Sequence, residues 1–261
     1  MPVDIKDKVV LITGGSSGIG RAAALDFASL GAKIVVTAAH NVAGGEETVK
    51  LIREAGASGE FIKADVSSEE DVRNMVDEVV SMHGRLDCAF NNAGIGPDGV
   101  RIPYVPLTDL DTETWDSIMN TNLKGIFLCL KYELKQMQKQ EKGSIVNTAS
   151  IGGLKMAPNF GAYGPSKAGV IAITRSAAIE NAKNGIRVNV VCPGPTKGTN
   201  LMSNTMSVNP EEEKILTEHV IPMGKMGTVE DVARAVVWLC SDFSGFITGQ
   251  ALSVDGGMHI A

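Results

Sequence analysis

The chain has 261 residues, 44% of them apolar and 21% charged, and its 24 basic and 30 acidic residues give a net charge of −6. This composition is typical of a globular protein, and the length suits one large α/β domain whose core needs neither a metal nor a disulfide. Because the balance is acidic and no block of Lys or Arg stands out, neither nucleic acid nor an anionic membrane is an expected partner.

Short β-branched runs alternate with helical patterns from one end of the chain to the other. Seven strands are predicted, at residues 8–13, 33–37, 60–64, 86–91, 143–149, 187–192 and 250–254. Helices are predicted at 18–29, 45–55, 68–83, 112–140 and 162–183, the third starting at Ser68 with Asp71 three residues later. The alternation predicts an α/β fold: a doubly wound, Rossmann-type parallel sheet of seven strands with helices on both faces.

One long segment, residues 193–222, carries little pattern. It is polar, rich in Met and Asn, and contains the acidic cluster Glu211, Glu212 and Glu213. In a compact domain so long a weakly patterned segment is more often functional than a plain connection. We therefore expect a substrate lid at about 193–222, within a single domain that spans 1–261.

The cysteines and the start of the chain bear on its compartment. Cys88, Cys129, Cys192 and Cys240 lie in apolar stretches without metal-binding spacing, which predicts buried, reduced thiols and no metal site. The first residues lack the apolar core of a signal peptide, and no stretch approaches the roughly 18 apolar residues of a membrane span. We expect a cytoplasmic protein.

A glycine-rich turn follows the first predicted strand. Gly14, Gly18 and Gly20 lie in the order Thr-Gly-Gly-Ser-Ser-Gly-Ile-Gly between that strand and the first helix. Glycines let a backbone approach a pyrophosphate, and free amides at a helix N-terminus favour its negative charge. A tight turn without a ligand would use glycines too, but the place in a doubly wound pattern favours a dinucleotide.

Two short segments lie where such a dinucleotide would extend. Asp65 and Val66 follow the third strand, and the run Asn91-Asn92-Ala93-Gly94 ends the fourth strand and follows it. Either segment could be a simple turn. Their positions at the carboxyl ends of strands, where α/β sheets bind ligands, favour contacts with a cofactor.

Tyr163 and Lys167 are spaced i, i+4 at the start of a predicted helix, so both lie on one face. A free Tyr has a pKa of about 10, and a neighbouring ammonium would lower it toward that of a usable general acid and base. A surface Tyr–Lys pair is the plain alternative. Ser150 follows the fifth strand and can hydrogen-bond a substrate oxygen, while Asn122 inside the long helix indicates a kink and a water site.

These features make the chain similar to the short-chain dehydrogenase/reductase family, in its subgroup of chains of about this length. The matching motifs occur in the family's order and span essentially the whole chain. They are the Thr-Gly-x-x-x-Gly-x-Gly turn, Asn-Asn-Ala-Gly, the tetrad Asn122, Ser150, Tyr163 and Lys167, then Pro193-Gly194 and Asp255-Gly256-Gly257.

The resemblance implies an NAD(P)-dependent oxidoreductase that moves a hydride between nicotinamide and a carbonyl or secondary alcohol carbon, without a metal. Tyr163 would exchange the proton, Ser150 would orient the substrate oxygen, Lys167 would lower the pKa of Tyr163 and hold the nicotinamide ribose, and Asn122 would hold a relay water. The residues expected to contact the cofactor are Gly14, Ser16, Ser17, Gly18, Ile19, Gly20, Ala38, Ala39, His40, Asp65, Val66, Asn92, Ala93, Gly94, Tyr163, Lys167, Pro193, Gly194, Thr196 and Thr199.

Two segments depart from the family's pattern. Ala38 and Ala39 stand where NAD-preferring relatives usually place an Asp, so no carboxylate repels a 2′-phosphate and His40 or Asn41 could donate to it. NADP(H) is slightly favoured over NAD(H), although an Arg is missing here and Ser17 stands where NADP enzymes often carry a basic residue. Gly198 replaces a Thr that often touches the carboxamide, which leaves Thr196 and Thr199 as candidates.

The expected pocket residues are mostly apolar or small: Ile95, Gly152, Gly153, Leu154, Pro158, Phe160 and Met202. They suit a hydrophobic ketone or secondary alcohol. The alternative substrates are a 3-oxoacyl group on an acyl carrier protein and a sugar. The chain shows no basic patch that would bind an acidic carrier protein, and its expected pocket has few polar groups for a sugar. A non-catalytic dinucleotide-binding protein would be expected to lose Tyr163 or Lys167. The resemblance also implies a homotetramer. The helix after Tyr163 and residues 243–261 are apolar and are the expected contact surfaces, although the same apolar character would also suit the core.

Overall fold

Seven parallel strands form the central sheet of the computed structural model, which describes residues 4–261. In chain order they are β1 (Val9–Thr13), β2 (Lys33–Ala38), β3 (Ser58–Lys63), β4 (Cys88–Asn91), β5 (Gly143–Thr148), β6 (Ile186–Pro193) and β9 (Ala251–Val254); a separate pair is β7 (Thr196–Lys197) and β8 (Gly227–Thr228). The order across the sheet is β3-β2-β1-β4-β5-β6-β9. The predicted doubly wound parallel sheet is confirmed.

Helices cover both faces of this sheet. They are α1 (Gly18–Ser29), α2 (Val42–Glu54), α3 (Glu69–His83), α4 (Thr112–Met119), α5 (Gly125–Gln140), α6 (Tyr163–Asn181), α7 (Asn200–Val208), α8 (Glu212–Ile215) and α9 (Val229–Cys240). Side chains of β1 alternate between two apolar clusters, since Val9 and Leu11 pack on the face of α3, α5 and α6, and Val10 and Ile12 on the face of α1, α2 and α9. The sheet is therefore buried on both sides.

Outside residues 193–222, the helices differ from the predicted pattern at three main places. The helix predicted over 112–140 is divided by a π-helical turn at Asn120–Lys124. α2 begins three residues early because the Asn41 side chain accepts a hydrogen bond from the Gly44 amide at 3.0 Å and caps the helix. α9 is absent from the predicted elements, although Thr228 and Asp231 form a capping box at its start.

The segment predicted as a lid folds into short helices. α7, α8 and a π-helical turn at Leu216–Val220 lie within residues 193–222. A small apolar cluster of Leu216, Ile221 and Met226 anchors them, and Met258 from the end of the chain packs against it. This segment thus forms a layer of its own beside the carboxyl ends of the strands.

The four cysteine side chains lie in the interior, as their apolar surroundings in the sequence predict. Cys88, Cys129, Cys192 and Cys240 are all buried and form no disulfide. Among residues 4–261, no helix combines the length and the apolar character that crossing a membrane requires.

A buried polar network joins α5 and α6 to the sheet. Asn91 Nδ2 donates to Glu133 Oε2 at 2.8 Å and to Asn147 Oδ1 at 3.1 Å, and Asn147 Nδ2 donates to Thr174 Oγ1 at 2.9 Å. Burial raises the pKa of Glu133 to about 7, against the hydrogen bond from Asn91. Glu133 Oε1 and Asn91 Oδ1 have no partner among the described residues. A protonated Glu133 carries a donor, which this pair of oxygens otherwise lacks.

This carboxyl group makes stability depend on pH. Its folded pKa lies above the ordinary value of 4.5, so the free energy of unfolding falls as the pH rises from about 4.5 through about 7. We predict that Glu133→Gln, whose amide stays neutral, removes most of this fall. One pKa unit corresponds to about 1.4 kcal/mol, so the effect is a few kcal/mol at most. Urea unfolding at acidic and alkaline pH measures it, and an equal fall in both proteins would contradict it.

Candidate functional site

The carboxyl ends of the central strands share one edge of the sheet, and the strand order reverses there between β1 and β4. A cavity of about 470 Å³ opens at this edge. Its lining comes from the glycine-turn helix, the loop after β4, the end of β5, the start of α6, the end of β6 and the segment that holds α7 and α8. Ligands of doubly wound sheets bind at this kind of crevice.

The glycine turn between β1 and α1 has a backbone and a close packing that favour glycine. Gly14 and Gly18 have φ angles of 66° and 54°, in the left-handed region. A β-carbon on Gly20 would overlap the carbonyl oxygen of Gly14. Ser17 is the extended residue that precedes α1, and Ile19 lines the cavity.

Arg21 fixes this turn to the start of α2. Its guanidinium donates to the carbonyl oxygen of Ser16 at 2.6 Å, to that of Gly44 at 3.0 Å and to Thr48 Oγ1 at 2.9 Å. Thr48 Oγ1 in turn donates to the carbonyl oxygen of Gly15 at 2.9 Å. Nε and Nη2 of Arg21 are thus bonded to the protein.

The loop after β4 is bonded to the glycine turn. Thr13 Oγ1 accepts from the amides of Asn92 at 3.0 Å and Ala93 at 3.2 Å, and Asn92 Nδ2 donates to the carbonyl oxygen of Gly14 at 3.3 Å. A β-carbon on Gly14 would lie 2.9 Å from Ala93 Cα. The two motifs, nearly 80 residues apart in sequence, form one surface.

Asn122 lies in the π-helical turn and is fully buried. Its Oδ1 accepts from the Ile95 amide at 2.8 Å, and its Nδ2 donates to the Ile95 carbonyl oxygen at 2.8 Å and to Ser166 Oγ at 3.1 Å. The expected disturbance of the helix at Asn122 is therefore present. The amide joins the loop after β4 to α6.

Tyr163 and Lys167 lie one turn apart on α6, at the cavity wall. Lys167 Nζ donates to the Thr148 carbonyl oxygen at 2.9 Å and lies 5.7 Å from the centre of the Tyr163 ring. Burial lowers the pKa of Lys167 to about 8. Burial also raises the pKa of the Tyr163 phenol, and a hydrogen bond with Ser150 opposes that rise. This direction is opposite to the one expected from Lys167, because desolvation of the phenolate dominates.

Ser150 stands just past β5, where its Oγ accepts from the Gly152 amide at 3.0 Å. Thr148, two residues earlier, has a buried Oγ1 without a partner among the described residues. Two hydroxyls, a phenol and an ammonium therefore meet in one cavity, and such groups can donate hydrogen bonds and a proton to a substrate oxygen.

Many of the residues expected to hold a cofactor lie on this cavity or beside it. The cavity lining includes Ile19, Asn92, Gly94, Tyr163, Lys167, Pro193, Gly194, Thr196 and Thr199. Gly14, Ser16, Ser17, Gly18, Gly20 and Ala93 belong to the adjoining turns. Ala38 ends β2, Ala39 and His40 follow it, and Asp65 and Val66 follow β3; these five lie at the carboxyl ends of their strands but not on the lining.

Some of the residues expected to form the substrate pocket line the cavity. Ile95, Gly152, Phe160 and Met202 line the cavity, whereas Gly153, Leu154 and Pro158 do not. Further lining residues missing from the sequence expectations are Tyr104, Lys155, Met156, Leu201, Leu216, Val220, Met258 and His259. They come from loops, from the short helical segments within residues 193–222 and from the last residues of the chain, where no periodic pattern points to a pocket.

Two contacts hold the segment of α7 against the loop after β4. Asp98 Oδ2 accepts from Asn204 Nδ2 at 2.9 Å, and the hydroxyls of Tyr104 and Thr205 lie 2.8 Å apart. Burial alone would raise the pKa of Asp98, but hydrogen bonds from Asn204 and from the amides of residues 100–102 outweigh it and hold that pKa well below its usual range. The cavity is thus closed on one side by two segments that are bonded to each other.

Comparison with known proteins agrees with this geometry. A family model described as enoyl-(acyl carrier protein) reductase matches residues 14–259. The chain is 41% identical to an uncharacterized oxidoreductase of Thermotoga maritima over 98% of each chain. It is 38% identical to the 3-oxoacyl-[acyl-carrier-protein] reductase FabG of Staphylococcus aureus, over 97% of this chain and 98% of that one.

A solved structure with the same fold is that of levodione reductase. It superimposes with a TM-score of 0.91 at 34% identity, over 98% of this chain and 99% of the other. The glycine turn, the Tyr163–Lys167 pair and these relatives lead to one assignment. The chain belongs to the short-chain dehydrogenase/reductase family, whose members use nicotinamide cofactors to oxidise alcohols and reduce carbonyl groups.

Proposed function

We propose that the protein reduces hydrophobic ketones with NADP(H) and, in the reverse direction, oxidises secondary alcohols. The proposal rests on the cavity of about 470 Å³, whose lining joins Ser150, Tyr163 and Lys167 to mostly apolar side chains. Ligand cavities of this size, apolar with a few convergent polar groups, suit small organic molecules.

The residues of the strand edge fit a dinucleotide. Side chains at Gly14 and Gly20 would collide with Ala93 and with the carbonyl oxygen of Gly14, so the turn keeps its close packing only with glycine at these positions. The helix α1 begins at Gly18, and the amides of its first turn can donate to a phosphate. Thr148 Oγ1, for which residues 4–261 provide no partner, and the ammonium of Lys167 offer polar groups to a ribose at the other end of the site. Residues 14–20 would hold the pyrophosphate, and Asn92, Gly94, Thr196 and Thr199 would flank the nicotinamide. When bound, the nicotinamide supplies or accepts the hydride.

Tyr163 carries the proton in this mechanism. During reduction its phenol donates a proton to the carbonyl oxygen, and the Ser150 hydroxyl donates a hydrogen bond to the same oxygen. Because burial raises the pKa of Tyr163, the phenol is protonated near neutral pH, which suits donation. In the oxidation direction the phenol must give up its proton, and the charge of Lys167 beside it favours the phenolate.

Asn122 positions the segments of the chain that surround the proton pathway to Tyr163. Its three hydrogen bonds fix the backbone of Ile95 and the first turn of α6. A water held here would connect Lys167 to solvent and return the proton that Tyr163 gives up. A β-carbon on Gly94 would approach both Asn122 Oδ1, at 3.1 Å, and Lys167 Nζ, at 3.3 Å, so a side chain here would press on both groups.

The preference for NADP(H) rests on the end of β2. Ala38 and Ala39 offer no carboxylate to the 2′-position of a ribose, and His40 follows at the surface. Asn41 caps α2 with its side-chain oxygen, which leaves the amide nitrogen for a phosphate. Nη2 of Arg21 is bonded to the backbone oxygens of Ser16 and Gly44, and we assign the proposed 2′-phosphate contact to His40 and Asn41.

The relatives support a second candidate, reduction of a 3-oxoacyl group carried by an acyl carrier protein, since FabG is 38% identical to this chain. The acidic balance of the chain, −6, is unfavourable for an acidic carrier. Reduction of a sugar is less well supported, because the cavity presents more apolar than polar surface. A hydrophobic ketone is therefore our first choice.

We also propose a single cytoplasmic domain that associates as a homotetramer, with residues 193–222 as a lid over the cavity. Several large apolar side chains are exposed on α6 and near the end of the chain, namely Ile179, Phe243, Phe246 and Ile260. Exposed apolar groups of this kind suit contacts between copies. Contacts of α7 with the loop after β4 give the lid its closed position.

We predict that Tyr163→Phe folds and binds cofactor normally but lowers kcat at least about a hundredfold, because the proton donor is lost. Cofactor binding is measured by nicotinamide fluorescence and turnover by its absorbance. Tyr132→Phe is the matched control, since Tyr132 lies on α5 and bonds Glu69 outside the cavity. Near-normal turnover of the Tyr163→Phe protein would overturn the mechanism.

A carbonyl panel tests substrate and cofactor together. It contains cyclic and linear ketones, a 3-oxoacyl thioester and a ketose, each measured with NADPH and with NADH. We predict the highest kcat/KM for a hydrophobic ketone with NADPH, and a shift toward NADH in Ala38→Asp, whose carboxylate would repel the 2′-phosphate. A strong NADH preference of the wild type would overturn the cofactor proposal, and a preference for the thioester or the ketose would overturn the substrate proposal.

A further inference from the structure

A histidine near the end of the chain lines the cavity but belongs to none of the family motifs. His259 follows β9 by five residues, within the turn that starts at Asp255. Its side chain is 26% exposed, and it lines the same cavity as Tyr163. His259 belongs neither to the tetrad nor to the residues proposed to contact the cofactor, so the proposed function gives it no role.

One nitrogen of this ring is committed to the protein. His259 Nδ1 lies 2.7 Å from Asp255 Oδ2, and the His259 amide donates to the same oxygen at 2.9 Å. Burial alone would raise the pKa of Asp255, but hydrogen bonds from His259 and Gly257 outweigh it and hold that pKa below its usual range. Because Asp255 is therefore an ionised acceptor, the proton of the neutral ring is on Nδ1.

The other nitrogen is left for a ligand. The contact that the structure gives His259 Nε2 is Ser253 Oγ at 3.5 Å, at the outer limit of a hydrogen bond. In the neutral ring Nε2 accepts a hydrogen bond, and in the charged ring it donates one. It can therefore bind either a hydroxyl or a carbonyl oxygen.

The turn that carries His259 is held in place from two sides. Lys155 Nζ donates to the backbone oxygen of Ala261 at 2.6 Å, and Met258 packs against the apolar cluster of Leu216, Ile221 and Met226. Lys155 and Met258 also line the cavity. A side chain supported in this way is suited to select a ligand, because little order is lost on binding.

We propose that His259 is a specificity-determining residue, whose Nε2 binds a second oxygen of the substrate while Tyr163 acts on the carbonyl. The preferred substrates are then hydroxyketones, diketones or diols rather than compounds with one oxygen. This inference rests on the proposed ketone reductase activity and adds to it the class of substrate.

The test compares two ketones of similar shape, 4-hydroxycyclohexanone and 4-methylcyclohexanone, in which a hydroxyl group of the first is replaced by a methyl group in the second. The quantity measured is the ratio of their kcat/KM values. His259→Asn keeps a donor at the position of Nδ1 for Asp255 and removes Nε2. His259→Gln keeps a polar atom near the position of Nε2. His83→Asn is the control, since His83 is also paired with a carboxylate, that of Glu60 at 3.5 Å, but does not line the cavity.

We expect the wild type and His83→Asn to favour the hydroxyketone, His259→Asn to lose about tenfold of that ratio, and His259→Gln to keep most of it. Thermal unfolding of each variant reports separately on structure. A lower Tm of His259→Asn with an unchanged ratio would mean that the Asp255–His259 pair only supports the turn, and would overturn the inference while the reductase proposal stands. Reduction of neither ketone by the wild type would overturn both.

Discussion

The buried amide of Asn122 is the contact on which the geometry of the site depends. A carboxamide can accept and donate at once, and here it does both with the backbone of one residue, Ile95, at 2.8 Å each. Its third bond, to Ser166, reaches the helix that carries Tyr163 and Lys167. The π-helical turn brings this side chain inward at the middle of a long helix. One side chain thereby fixes the loop after β4 relative to α6.

Burial has two effects on the groups assembled around that contact. It lowers the pKa of Lys167 to about 8 and raises the pKa of the Tyr163 phenol. Both shifts disfavour charge, so the neutral phenol is the stable form and its proton is available to an oxygen that becomes negative. The opposite reaction needs the phenolate, which the nearby ammonium and the hydrogen bond from Ser150 stabilise. In the proposed mechanism the site works in both directions, with the balance between them sensitive to pH.

Periodicity and motifs were sufficient for the sheet and for the chemistry of the family. β-branched runs predict the strands because both faces of a parallel sheet are apolar, and the motifs that follow them gather at one edge. The helix at Val229–Cys240 is missing from that prediction, although Thr228 and Asp231 mark its start and its buried residues, among them Val232 and Val236, recur with a helical period. A capping box followed by apolar residues with helical spacing is the sequence feature that indicates this helix.

Features that depend on contacts between distant segments were beyond the sequence. Glu133 looks like an exposed helix residue until the fold places it beside Asn91, 42 positions away, in a buried network. The direction in which the pKa of Tyr163 shifts also depends on the structure, because the spacing of residues in the sequence does not show how deeply the phenol is buried. His259 is a further case: only the folded chain brings it to the cavity that holds Tyr163.

The central claim is that hydride passes directly between nicotinamide and a substrate carbon while Tyr163 handles the proton. The most direct test supplies NADPH deuterated at the transferred position, together with a ketone that the protein reduces, and analyses the product alcohol by mass spectrometry and NMR. The account predicts one deuterium, bonded to the carbinol carbon and in one configuration. A product alcohol without deuterium at that carbon would contradict it.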